Sequence, residues 1–154
     1  MPKTENDIPT SQFFDFEIFP LDDEFTGKIT GGNKRNILVL TIPAPDQSDH
    51  QFLGKVLSAV QVDIDDDIAL ATAEKAHNFN LVELVGVTGA EVVLIFGVKP
   101  LSCGLNINMK LYQPVLHNGT KYLLCNQLGE IAQNQQLKRH LWSALQQIFP
   151  TKDR

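Results

Sequence analysis

The chain has two cysteines, one tryptophan and no long apolar run. A membrane-crossing helix needs about 20 consecutive apolar residues, so the sequence predicts no membrane span. The opening MPKTENDIPTSQ lacks the basic start and apolar stretch of a secretory signal, which predicts a cytoplasmic location. Cys103 and Cys125 lie in apolar surroundings and are not spaced as a metal pair, so they read as reduced core residues. A bridge between them would need an oxidising compartment. Glycine is missing where a nucleotide site would use it: the first apolar strand is followed by Pro43-Ala44-Pro45-Asp46. Backbone amides could not approach a phosphate there as they do in glycine-rich loops. His50, His77, His117 and His140 stand singly, without the paired spacing of a zinc site. No serine or cysteine sits in a nucleophile elbow. These absences predict no cofactor, no metal and no catalytic centre.

One acidic run requires its own test. Asp63, Asp65, Asp67 and Glu74 match positions 1, 3, 5 and 12 of a calcium loop. The glycine that makes the sharp turn at position 6 is replaced by Ile68, so a solvated loop is the better reading.

Charge is distributed unevenly. Residues 1–27 hold seven carboxylates (Glu5, Asp7, Asp15, Glu17, Asp22, Asp23 and Glu24) against Lys3 alone, in a chain of net charge −5. The remainder is therefore near neutral, without the clustered Lys and Arg that strong nucleic-acid binding requires. The same leader holds Phe13, Phe14, Phe16, Phe19 and Phe25, five of the nine phenylalanines. Ordinary disordered tails are poor in aromatics, so these rings should be buried against something. Two readings stay open: the leader packs on its own domain as an edge strand, or it docks on a partner. Residues 1–35 thus form an acidic, Phe-rich arm, and GKITGGNKR reads as a turn or flexible join. Residues 36–150 form the single folded domain.

Within that domain Asn36–Ile42 and Glu91–Gly97 are continuous β-rich apolar runs, as expected of strands covered on both faces. Tyr122–Cys125 is a third, after the turn His117-Asn118-Gly119. Asp49 is placed to cap a helix from about residue 50 to 60, where Phe52, Val56, Leu57 and Val60 recur at helical spacing. Ile68–Thr72 fits a short strand or a buried turn, and Leu81–Val87 a strand or the last turns of a helix. Leu137, Leu141, Leu145 and Ile148 make one stripe on a helix over 134–149, ended by Pro150. Strands alternating with helices predict an α/β three-layer sandwich with a mainly parallel central sheet.

Two segments carry a resemblance to a known family. Phe52-Leu53-Gly54-Lys55-Val56-Leu57-Ser58-Ala59-Val60-Gln61-Val62, then Ile68-Ala69-Leu70, resembles the first helix region of the psi subunits of bacterial DNA polymerase III. Leu128, Ile131, Asn134, Arg139, Leu141 and Trp142, then Gln146-Gln147-Ile148, resemble the C-terminal part of that family. The likeness spans roughly residues 36–149 in short apolar matches, of which Arg139-x-Leu141-Trp142 is the most specific. It implies a uracil-DNA-glycosylase-like fold without catalytic activity. It also implies an N-terminal segment that docks on the clamp loader, and a domain that binds the chi subunit. Phe13, Phe14, Phe16 and Phe19 occupy the place of that segment, in an arm more acidic and aromatic than the family's.

Enzymes of that fold carry a water-activating residue after the first strand and a histidine-containing loop after the last. Here the two loops read Pro43-Ala44-Pro45-Asp46-Gln47 and Asn126-Gln127-Leu128-Gly129, with neither the glycine pattern nor the histidine. A non-catalytic adaptor of the DNA replication machinery is therefore expected. Two alternatives remain open. One is a glycosylase-like enzyme acting on a nucleobase or nucleotide, with Asp46, Asn126 and Gln127 lining a cleft at the strand ends. The other is a self-associating domain whose arm pairs with a neighbour's sheet edge.

Overall fold

The computed structural model describes residues 27–42, 45–73 and 79–150. Phe13, Phe14, Phe16, Phe19 and Phe25 lie outside the described residues, as do Glu74 and His77. Among the described residues the fold is α/β, with a six-stranded mixed sheet in the order β1-β3-β2-β4-β6-β5 and four helices. Its strands are β1 (Lys28–Thr30), β2 (Ile37–Thr41), β3 (Ile68–Thr72), β4 (Val92–Phe96), β5 (Val115–His117) and β6 (Thr120–Cys125). The four central strands β3, β2, β4 and β6 pair in parallel, while the two short edge strands pair antiparallel.

Side chains alternate across the central strands with the period of two that a pleated sheet imposes. Ile37 and Val39 of β2 face one core, with Leu70 of β3, Leu94 of β4 and Leu123 of β6. Leu38 and Leu40 face the other, with Ala71, Val93 and Tyr122. The first core is closed by three helices: α1 (Gln47–Ala59), α3 (Leu128–Ala132) and α4 (Gln135–Ile148). The second is closed by α2 (Leu81–Thr88) and the crossover after β4, which holds one 3-10 turn, Pro100–Cys103. Because both faces are covered, the central strands read as unbroken apolar runs.

Local chemistry explains most boundaries. The side chain of Asn134 accepts hydrogen bonds from the Gln136 and Leu137 amides, starting α4 where the apolar stripe begins. Of that stripe Leu141, Leu145 and Ile148 are buried and Leu137 is half-buried. The segment at 81–87 is a helix, because Asn80 accepts from the Glu83 amide at its start and Gly89 ends it. The residues Asn118 (φ 51°) and Gly119 (φ 80°) form the left-handed pair that a tight hairpin between β5 and β6 requires.

Two expectations are corrected. The cap of α1 is Asp46 rather than Asp49: the Asp49 amide donates to Asp46 Oδ1 at 2.8 Å, so the helix starts three residues earlier. The stretch read as a turn or flexible join is ordered backbone with a turn at Lys34-Arg35. Lys28–Thr30 pairs with β3, and the amides of Gly32, Asn33, Lys34 and Arg35 donate to the carbonyls of Asp65, Ile68, Asp66 and Asp67 at 2.8–3.0 Å. One element was not read from the sequence at all: β5, because a three-residue edge strand has too little period to detect.

Candidate functional site

In parallel sheets a ligand crevice opens at the carboxyl ends of the strands, where successive crossovers leave on opposite faces. Here that point lies between β2, whose chain turns to α1 on one face, and β4, whose chain turns to the other face. A cavity of about 70 Å³ occupies it, lined by Thr41, Ile42, Pro45, Asp49, Phe96, Gln127, Leu128 and Gly129. Small-molecule sites run from roughly 300 Å³ upward, so the space bounded by these described residues is of water size. The Thr41 hydroxyl, 1% exposed, has no hydrogen-bond partner among the described residues, and water in this cavity would supply one.

The three cleft residues expected from sequence are not gathered into one site. Gln127 lines the cavity. Asp46 is engaged as the cap of α1. Asn126 belongs to a separate cluster, in which the Tyr112 hydroxyl donates to Asn126 Oδ1 at 2.7 Å and the Asn126 amide donates back at 3.3 Å. Tyr112 also stacks on His140 of α4, with ring centroids 5.7 Å apart, and holds a left-handed φ of 63°. Burial is the main reason its phenol pKa is pushed up to about 12, so it is a neutral hydrogen-bonding post at physiological pH.

The structural role of Asp46 is testable. Asp46→Ala should cost about 1 kcal/mol by loss of the cap, while Asp46→Asn, which retains a capping oxygen, should be close to neutral. Thermal melts of the two variants check this. A carboxylate needed for its charge would instead make the two behave alike.

The other chemical candidates are used by the fold. Asp63 Oδ1 accepts from the Asp65 and Asp66 amides, and Asp67 Oδ2 from the Asp63 amide. These carboxylates thus shape the turn that receives Gly32–Arg35. Among the described residues no group of three or more His, Cys, Asp or Glu is placed to hold a metal ion. Cys103 and Cys125 are free and buried in the two opposite cores, so the sheet separates them. Burial pushes the Cys103 thiol up to about 11 and raises that of Cys125 further, which keeps both protonated and unreactive. No helix among the described residues is long and apolar enough to cross a membrane.

The larger apolar concavity is on the outer side of the helical layer. Phe52, Lys55, Val56 and Ala59 of α1 and Lys138, Leu141 and Trp142 of α4 line a groove of about 410 Å³. Helical spacing creates each wall: 52, 55, 56 and 59 share one face of α1, and 138, 141 and 142 one face of α4. Trp142, the single tryptophan, is 38% exposed. Lys138 Nζ sits 5.9 Å from the centroid of the Phe52 ring, joining the two walls by a cation–π contact. Lys55 and Lys138 line the groove and Arg139 follows on α4, against the single carboxylate Asp49 on the two helices. The groove is therefore aromatic and mildly basic. Sequence reasoning marked Phe52, Val56 and Trp142 as parts of two separate segments, but nothing local shows that α1 and α4 lie side by side.

The chain matches no protein-family model, and its sequence matches no curated protein.

Proposed function

We propose that the protein is a non-catalytic, psi-like adaptor of the DNA replication machinery on a uracil-DNA-glycosylase-like scaffold. One observation carries the reading. The two segments that resemble the psi family, Phe52–Val62 and Arg139-x-Leu141-Trp142, are far apart in sequence yet contribute Phe52, Val56, Leu141 and Trp142 to one groove. An exposed tryptophan beside a half-buried phenylalanine, flanked by cationic groups, is what a protein-binding hot spot is built from. The division of the strand-end residues among a cap, a tyrosine cluster and a water-sized cavity also favours binding over turnover. In this reading Phe13, Phe14, Phe16 and Phe19 of the arm engage a clamp-loader assembly, and the α1–α4 groove engages a chi-like accessory subunit.

The test is titration of the full chain into purified bacterial clamp loader and, separately, into purified chi subunit. Aromatic anchors contribute on the order of 2 kcal/mol each. Changing Phe13, Phe14 and Phe16 to alanine together should therefore weaken clamp-loader binding by roughly 100-fold or more, with an unchanged cooperative melt. Trp142→Ala should weaken binding to the chi subunit without weakening binding to the clamp loader. Failure of the unmodified chain to bind either partner would end the psi-like reading. Release of base from a uracil-containing oligonucleotide, lost in Gln127→Ala, would replace it with the enzymatic one.

A further inference from the structure

The groove between α1 and α4 and the acidic arm are complementary in three independent respects. The first is charge: residues 1–27 hold seven carboxylates against Lys3, and the groove is lined by Lys55 and Lys138 and followed by Arg139. The second is side-chain chemistry. The arm repeats phenylalanine beside carboxylate in Phe13-Phe14-Asp15-Phe16-Glu17, and the groove sets the aromatic Phe52 and Trp142 beside lysine. At about 410 Å³ it has the volume for aromatic anchors. The third is reach. The arm joins the fold at β1, the edge strand beside β3, and β3 is the strand into which α1 leads. From Phe19 to Lys28 the chain can span up to about 30 Å, against a radius of gyration near 14 Å for a body of this size.

From this complementarity we infer that the α1–α4 groove is the seat of the chain's own arm, with phenylalanines of residues 13–19 against Phe52 and Trp142. The tether makes this contact intramolecular, with an effective concentration on the order of millimolar. A weak contact therefore suffices to keep the groove occupied in the isolated chain. The consequence is regulatory: the arm and the groove shield each other, and a partner that captures either one frees the other. The inference rests on the adaptor reading only in taking the groove as a protein-binding surface.

The experiment uses the full chain carrying Ser11→Cys, with a nitroxide on the introduced thiol. Cys103 and Cys125 are buried and protonated, so the label goes to the new site. The label should broaden the amides of Phe52–Val56 and Lys138–Trp142 and spare α2 on the opposite face. The broadening should be independent of protein concentration and should fall as salt screens the charges. Changing Phe13, Phe14 and Phe16 to alanine should remove it and shift Trp142 emission to the red. Lys55→Glu with Lys138→Glu should do the same and should also tighten binding to the clamp loader, because the arm is released with its phenylalanines intact. Absence of broadening at low salt overturns the inference. Broadening that fades on dilution also overturns it, by showing that the arm reaches a second copy. Broadening without any clamp-loader or chi binding would leave the inference standing and the adaptor reading fallen.

Discussion

Leu94→Ala is expected to destabilise the protein by about 2–5 kcal/mol, a large part of the roughly 5–15 kcal/mol available to a single domain. Leu94 is fully buried at the middle of β4. In register with it across the sheet lie Val39 of β2 and Leu123 of β6, and Leu70 of β3 lies beyond Val39, making one apolar row of four strands. All four face the core under α1, α3 and α4. Truncation leaves a cavity that the paired strands cannot close, because moving β4 would break hydrogen bonds on both sides of it. Leu94→Met, which nearly keeps the volume, should cost less than about 1.5 kcal/mol. Urea titration distinguishes them: the midpoint should fall steeply for alanine with an unchanged slope. If alanine costs no more than methionine, the row is not the centre of the core.

Gly97→Ala should be comparably severe, for a different reason. Gly97 follows β4 with a φ of 79°, a conformation that costs an L-residue about 1–2 kcal/mol. A methyl group there would lie 2.6 Å from the Ile42 carbonyl oxygen and 2.7 Å from Cγ of Gln127. The glutamine side chain can swing aside, but the carbonyl is backbone at the end of β2. The neighbouring strand ends must therefore separate, adding about 1–3 kcal/mol. Gly119→Ala is the control, since its φ of 80° is nearly the same but nothing lies within 4 Å of the added methyl. Midpoints from thermal melts should place Gly97→Ala well below Gly119→Ala. Equal losses would mean that strand-end crowding contributes nothing.

These two positions also show how differently the fold and the site were readable. Leu94 belongs to an apolar run whose burial follows from its neighbours in sequence, because a strand covered on both faces has no polar side to show. The role of Gly97 depends on Ile42 and Gln127, which come from other strand ends. The cleft residues divide in the same way. Asp46 was legible as a polar group after a strand, but a cap and a water activator look alike until the Asp49 amide is seen donating to it. Asn126 could not be separated from Gln127 without Tyr112, fourteen residues earlier, which holds its side chain.

Properties of short stretches were determined by the sequence alone. Continuous apolar runs mark β2, β4 and β6, the stripe from Leu137 to Ile148 marks α4, and the charge count sets the arm apart from the body. These depend on side-chain period and local hydrogen bonding, which a few neighbouring residues settle. The order of strands, the pairing of Lys28–Thr30 with β3, the bonding of residues 32–35 to the turn before β3 and the meeting of α1 with α4 were decided only by tertiary structure. Each depends on packing between segments tens of residues apart, where many arrangements satisfy the same local pattern and only burial of both cores together selects one.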